Sequence, residues 1–528
     1  MASFKDNEET VTTKSILEAE SRGALRALRE EGLFSDEDSS MIFESFTVLH
    51  EYATHLRAAF NHPDAIHAVA VKTNPHKEVL RALVSWGFGL EAASFEELLL
   101  AKRAGIAPGK LVFDGPVKTT KEIAKCNEMF PGLNINVNCL EELERFPAAD
   151  KCTLKLGIRI NPMVDTGAPA VYHVSGDDSK FGTPIAEKDA LLEAIMKYNI
   201  TTLHVHAGSS MKYLEQSVLA VKKVYDLAKT ANSMLATQCI KRRIDTIDMG
   251  GGLLPEVLSS KAMAYTRSVD MKGAGQDNNT PVSTMHTYAT MLRKEMPGLF
   301  SDFRLITEFG QWVHFHCGFA VSEIEYLVGK KSKSVVYIHL GADYFMRDVY
   351  TGKSRDASLQ VLTHNADLKG TLAPKPSNTI EQRQTRGPVY DVAGPLCVAG
   401  DYLKKDLVLV HVPGASDVDK EKVGGIVTPA AGDLLVLLGT GSNSYGMWSR
   451  HCSRTIPKVI GVGSKSHQEL TNMHLGEYQA GCDARAPRTC PVHVLSQRWN
   501  PFLYGSDDEK NEDKTSPSKA YNPSMVLP

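Results

Sequence analysis

Between about residue 65 and residue 308, short apolar runs rich in β-branched residues alternate with stretches of helical periodicity, the pattern of successive βα units. Eight runs read as strands: 65–72, 88–93, 110–114, 134–138, 154–160, 201–206, 244–249 and 304–308. Helix starts follow several of them. Ser94 precedes Glu97 by three places, as Thr119 precedes Glu122 and Asn138 precedes Glu141, the spacing of a capping box. Eight such units in roughly 260 residues fit a (β/α)8 TIM barrel better than a doubly wound sheet, which usually stops at fewer strands.

Beyond about residue 335 the rhythm changes. Ser334 to Leu340, Leu407 to Val412 and Asp433 to Leu438 are β-rich pieces separated by turns carrying Gly and Pro, which predicts a mostly β C-terminal domain. The division expected is an N-terminal extension over 1–45 that packs on the β domain, a barrel over 46–335, a β-rich domain over 336–505 and a disordered tail over 506–528. The tail rests on 506–519, SDDEKNEDKTSPSK, which is almost purely charged residues, Ser, Thr and Pro and has too little apolar surface to bury. Two polar, poorly periodic stretches, 258–285 and 351–386, read as long surface insertions.

Composition narrows the function. The chain of 528 residues has 59 basic and 62 acidic side chains, a balance that offers nucleic acid no basic face and favours a small-molecule partner. No run of about 18 apolar residues marks a membrane span, and the polar, acidic stretch from Met1 to Glu20 lacks the apolar core of a secretion signal. The nine cysteines form no CxxC pair and no zinc-type spacing, so neither a metal nor a disulfide framework is expected and a cytoplasmic setting is.

Barrel enzymes put their chemistry at the C-terminal ends of the strands. Here those ends carry Lys72, Glu91, Asp114, Asn138, Arg159, His206, Gly250 and Glu308. Lys72 closes the run AIHAVAVK; a partly desolvated lysine in that place can have a lowered pKa and form a Schiff base with an aldehyde. Gly250, Gly251 and Gly252 follow a short apolar strand, where exposed main-chain amides can wrap a phosphate. In HVHAGSS, His206 can stack on an aromatic cofactor while Ser209, three places on, reaches a phosphate oxygen.

Taken together, VAVKTNP, HVHAGSS, IDMGGGL, TEFG and GPLCVAGD occur in the order found in the diaminopimelate/ornithine decarboxylase family, the fold type III pyridoxal-phosphate enzymes. The chain resembles that family over roughly residues 45–465, including SKFG at 179–182 and MWSRHCSR at 447–454. The resemblance implies an alanine-racemase-like barrel, pyridoxal 5′-phosphate as cofactor and an amino acid as substrate. By it Lys72 is the Schiff-base lysine, His206 stacks on the pyridine ring, Ser209 and Gly250 to Gly252 hold the phosphate, and Glu308 pairs with the ring nitrogen. Alanine racemases place an arginine at that nitrogen, so Glu308 favours decarboxylation, because a carboxylate keeps the ring protonated and a strong electron sink. Glu91 and Arg159 match family positions beside the cofactor. Cys397 is implied as the acid that protonates the carbanion from across a homodimer interface, which makes the active sites shared.

The chain also departs from the family. Gln311 stands where an arginine is usual, and Asn443 stands where a tyrosine meets the phosphate, with Tyr445 two places on as a substitute. Each lost charge-assisted contact is worth about 1.5–3 kcal/mol. These departures keep an inactive regulatory paralogue as the second reading and a racemase as the third. Val398 replaces the acid that often receives a distal amine, which leaves Asp343 or Asp401 for an ammonium, or a substrate without one that Arg347 can bind by a carboxylate.

Overall fold

The computed structural model describes residues 11–272, 282–350, 359–374, 388–410, 428–484 and 490–498. They fall into two compact units, one of 1–13 with 49–315 and one of 14–48 with 316–528. The tail over 506–528 lies outside the described residues.

The first unit is built on eight parallel strands: β1 (Ile66–Ala70), β2 (Gly89–Ala92), β3 (Leu111–Phe113), β4 (Asn134–Val137), β5 (Lys155–Asn161), β6 (Ile200–Val205), β7 (Thr246–Asp248) and β8 (Arg304–Thr307). They lie in the order β4, β3, β2, β1, β8, β7, β6, β5, and β4 pairs back to β5 from Asn134 with Lys155 to Val137 with Ile158, which closes the barrel. Every residue of β1 through β4 is buried. Burial on both sides, interior and helices, keeps them short and mostly apolar, and the polar residues they do carry, His67, Glu91, Asn134 and Asn136, are buried with them.

Helices enter as their caps dictate. Ser94 accepts the Glu97 amide at 3.2 Å before the helix Phe95–Arg103, and Thr119 and Glu122 form a full capping box before Thr120–Met129. Asn138 does not cap. Its main-chain amide donates to Glu142 at 2.9 Å, its carboxamide accepts the Gly182 amide and donates to the Lys180 carbonyl, and only a short 3-10 turn, Leu140–Arg145, follows. The stretch 258–285 is also more regular than its polarity suggests: a helix runs from Ser260 to Lys272 and another begins at Thr284, capped by Ser283.

The second unit is a ten-stranded mixed sheet among the described residues. Strand Ser40–Ser45 pairs antiparallel with Gly318–Gly329 and parallel with Lys458–Val462. The barrel unit therefore ends at Phe315 rather than near residue 335, because Gly318–Gly329 spends its hydrogen bonds on this sheet. Its core gathers Ile42, Ile324, Val336, Tyr344, Tyr390 and Leu435. Within the expected insertion 351–386, Leu359–Leu362 and Leu368–Pro374 form an antiparallel hairpin of this sheet. No described helix is long and apolar enough to cross a membrane.

Candidate active site

Lys72 does not sit on β1 but two residues past it. The strand stops at Ala70, and Val71–Thr73 winds one 3-10 turn in which the Thr73 hydroxyl donates to the Ala70 carbonyl at 2.6 Å. The turn cannot lengthen, because Asn74 precedes Pro75 and such a residue is forced out of the helical region; its φ is −152° and ψ 94°. The lysine is thereby lifted to the barrel mouth with its side chain 49% exposed, and its Nζ donates to Glu91 Oε2 at 2.6 Å. Burial works against the ammonium, but Glu91, then Glu308 and Glu97, outweigh it, so the Lys72 pKa is raised and not lowered as a desolvated lysine alone would have it.

Around this amine the barrel interior is ionic. Arg159 points inward from β5 and lies 4.4 Å from the centre of the Phe181 ring, in the SKFG run. Burial lowers its pKa against the pull of Asp114, Glu308 and Glu91, yet a guanidinium stays charged. His206, just past β6, accepts the Gly208 amide on Nδ1 at 3.3 Å, which leaves the ring proton on Nε2. Burial first, then Arg159 and Lys72, pushes its pKa well down, so the imidazole is neutral.

The three glycines end β7 in a tight loop. Gly250 has φ +63° and Gly252 φ +100°; a Cβ at Gly250 would stand 2.6 Å from the Val205 carbonyl oxygen, and one at Gly252 would run into that of Gly208. Asp248 Oδ1 accepts the Gly250 amide at 3.1 Å from below. Ser209 is held next to this loop by its amide, which donates to the Tyr172 carbonyl at 3.2 Å, while Met211 donates to Gly252 O at 2.9 Å.

Below these groups lies a layer that the reading of strand ends missed: Asn136, His204 and Asp248, all buried. Each stands two places before a strand-end residue singled out above, and side chains two apart on a strand face the same way, so the pattern held the signal. Glu97 was missed as well; it sits in a helix first turn, where its carboxylate accepts the Ala93 amide at 2.7 Å.

In the second unit, Cys397 and Val398 are exposed on a short loop closed by Asp401. Both Asp401 oxygens accept loop amides at 2.7 Å, from Ala342 and Leu396, and Asp343 is bonded to Arg454 Nε at 3.1 Å. Neither carboxylate is idle, so both are weak candidates for receiving a substrate ammonium. Arg347 lies in the short helix Met346–Tyr350. Asn443 adopts φ +55° and donates to Ser442 Oγ at 2.8 Å, and Tyr445 opens a 3-10 turn with its ring against the sheet core. Gln311 is the second residue of the helix Gly310–His314 in the barrel unit.

Residues 49–311 match the family model for the pyridoxal-binding domain of the pyridoxal-dependent decarboxylases. The diaminopimelate decarboxylase of Aquifex aeolicus is 26% identical over 407 residues, 75% of this chain and 80% of that protein. The L-glutamyl-[BtrI acyl-carrier protein] decarboxylase of Niallia circulans is 24% identical over 389 residues, 72% of this chain and 78% of that protein. In fold, the chain is similar to the diaminopimelate decarboxylase of Helicobacter pylori complexed with L-lysine, with a TM-score of 0.65 at 21% identity over 91% of this chain and 100% of that one. The arginine decarboxylase of Paramecium bursaria Chlorella virus gives 0.59 at 15% identity over 81% and 96%.

The residues present fit the cofactor these names imply. Glu308 Oε1 and Glu91 Oε1 are buried without a hydrogen-bond partner in the protein, the glycine loop leaves room that any Cβ would fill, and a primary amine stands at the mouth. A barrel whose interior is prepared in this way, in a chain matched over its pyridoxal-binding region, belongs to the fold type III pyridoxal-phosphate-dependent decarboxylases, the diaminopimelate/ornithine decarboxylase family.

Proposed function

We propose that this chain removes the α-carboxyl group of an amino acid that lacks a distal cation, with Lys72 holding pyridoxal 5′-phosphate and Glu308 facing its ring nitrogen. The observation that carries the reading is the placement of Glu308 at the end of β8, 6% exposed, in the same barrel interior as Lys72, Arg159 and His206. Bound pyridoxal 5′-phosphate supplies an electron sink for the pair left when carbon dioxide departs.

The chain's own groups prepare that chemistry. Glu91 keeps the Lys72 amine charged and in place, and with the cofactor bound its carboxyl would hold a proton beside the Lys72 nitrogen. Neutral His206 offers a flat, uncharged face, so it does not compete with Glu308 for the positive charge on the ring. Main-chain amides of Gly250 to Gly252, with the Ser209 hydroxyl, give the phosphate donors that need no charged side chain, which suits a chain carrying Gln311 and Asn443 at the family's other contacts.

Substrate choice is argued from what is committed. Asp343 and Asp401 are bonded within their own unit and Val398 has no charge, so a distal ammonium would meet no free carboxylate among the residues considered for it. A neutral side chain, or an acidic one paired with Arg347, suits this set. Cys397, exposed on its loop, serves as the acid, contributed across a homodimer to the partner's barrel. The cysteine spacing, which contains no disulfide framework, suits a reducing compartment such as the cytoplasm.

Borohydride reduction after loading with pyridoxal phosphate should fix the cofactor to the parent protein and not to Lys72→Ala. Mixing inactive Lys72→Ala and Cys397→Ala subunits should recover part of the carbon dioxide release. Fixation persisting in Lys72→Ala would refute the lysine assignment; no recovery despite proven subunit exchange would refute the shared site.

A further inference from the structure

The other seven strands of the barrel each contribute a polar or charged group to one network that includes Glu308. Lys72 comes from the turn after β1, Glu91 from β2, Asp114 from the end of β3, Asn136 from β4, Arg159 from β5, His204 and His206 from β6, and Asp248 from β7. Glu97 and Lys118 act from the flanking helices and loops, Lys118 being itself paired with Glu142 at 2.9 Å. At the centre, donor atoms of Asp114, His204, Asp248 and Glu308 all lie within 4.8 Å of one another, and all four side chains are buried.

The connections inside this cluster are specific. Asn136 Nδ2 donates to Asp114 Oδ1 at 2.6 Å and to Asp248 Oδ2 at 3.3 Å. His204 stands between two carboxylates, its Nδ1 3.5 Å from Asp114 Oδ1 and its Nε2 3.8 Å from Glu308 Oε2. Both His204 ring nitrogens, Asp114 Oδ2 and Glu308 Oε1 are buried without a closer partner. Three carboxyl groups this close cannot all be ionised with water excluded, so they share protons.

We propose that Asp114 is a positioning residue for Glu308: as the fixed anion of this proton-sharing cluster it keeps Glu308 a neutral acid in the cofactor-free barrel, so that engagement of the ring nitrogen is coupled to ionisation of Glu308. The inference rests on the assignment of Glu308 to that nitrogen. Asp114 is the member best supplied with compensation. Burial opposes its charge, but His204, Glu308, Arg159 and the Asn136 amide outweigh it and hold its pKa below the carboxylate range. Glu308 is the opposite case, pushed well up by burial and then by the charge of Asp114, with Asp248 adding to it where it ionises. Asp248 is raised to about 8 by burial and by Asp114, and burial lowers His204 to about 4, so at neutral pH both are uncharged.

The proton count closes. When the ring nitrogen arrives bare, the O–H bond of Glu308 breaks and an N–H bond forms on the ring; when it arrives protonated, the Glu308 proton leaves to solvent. Either way one carboxyl becomes a carboxylate, and Asp114 does not change state.

Infrared difference spectroscopy of cofactor-free protein on binding pyridoxine 5′-phosphate, which has the ring and phosphate without the aldehyde, reads this directly. The parent should lose one protonated-carboxyl band at pH 7, and that loss should be missing in Glu308→Gln and retained in Asp248→Asn. In Asp114→Asn the pH midpoint of the band should fall by about one unit or more. A midpoint in Asp114→Asn equal to the parent's overturns this inference alone. A parent band already gone by about pH 5, the ordinary carboxylate range, overturns it without any variant. A band loss on binding that persists in Glu308→Gln instead removes Glu308 from the ring nitrogen and with it the reading on which the inference stands.

Discussion

The Glu308 main-chain amide donates to the Gly250 carbonyl at 2.7 Å. Since Gly250 also gives its own amide to Asp248 Oδ1, the carboxylate at the end of β8 and the glycine loop at the end of β7 form one rigid piece. On the proposed reading, the groups meant for the two ends of the cofactor, ring nitrogen and phosphate, have a separation set by main-chain hydrogen bonds.

Gly252→Ala should damage this piece without unfolding the barrel. A φ of +100° strains any residue with a Cβ, and the added carbon meets the Gly208 carbonyl oxygen. Such strain costs on the order of 1–3 kcal/mol, so affinity for pyridoxal phosphate should fall by about tenfold or more. Absorbance titration of the cofactor-free protein measures it, and an unchanged Kd would show that the loop does not hold the phosphate.

Glu91→Gln should move the pH dependence of cofactor capture downward. Glu91 is the largest support of the Lys72 ammonium, and only the neutral amine attacks an aldehyde, so with the carboxylate gone the lysine loses its proton at lower pH. Stopped-flow absorbance across pH should show the rise in capture rate beginning earlier than in the parent. The same onset in both proteins would contradict the pairing.

The barrel unit should lose stability as acid is added below about pH 6.5. His55, His67 and His314 are buried and bonded to Thr266 with Ser283, to Thr307, and to Thr73, and burial lowers each to about 3. Their folded pKa values lie below the unfolded one, so the stabilisation is complete above the unfolded value and is lost as pH falls toward the folded value. Three such groups give a slope of up to about 4 kcal/mol per pH unit. Glu308 and Asp248, raised in the fold, contribute with the opposite sign, so urea unfolding at stepped pH tests the histidines by difference: His67→Gln should lose less stability than the parent between about pH 6 and pH 4, and equal losses would be incompatible with a neutral buried His67.

Carbon dioxide release from a panel of amino acids should favour neutral or acidic substrates over lysine, ornithine and meso-diaminopimelate. Burying an unpaired ammonium costs several kcal/mol, which corresponds to a loss of kcat/KM of about a hundredfold or more. Val398→Glu should recover diamino acids. A parent enzyme that prefers a diamino acid by a wide margin would return Asp343 or Asp401 to the role of amine partner.

Much of this protein was determined by its linear sequence. Strands buried on both faces announce themselves as short, mostly apolar runs, so the eight barrel strands are legible to within a few residues, and the polar residues at their ends single out Lys72, Glu91, Arg159, His206 and Glu308. Tertiary structure alone decided the rest. The pKa of Lys72 rises because a carboxylate from the next strand lies 2.6 Å away, a distance that no spacing along the chain encodes. Asn136, His204 and Asp248 read as ordinary strand residues, and closure of the barrel is what brings their side chains together. The commitments of Asp343 and Asp401 likewise depend on partners 111 and 59 residues away. Local pattern determines which face a side chain takes, whereas protonation and pairing depend on distances across the fold, because electrostatic interaction grows steeply as charges approach in a water-poor interior.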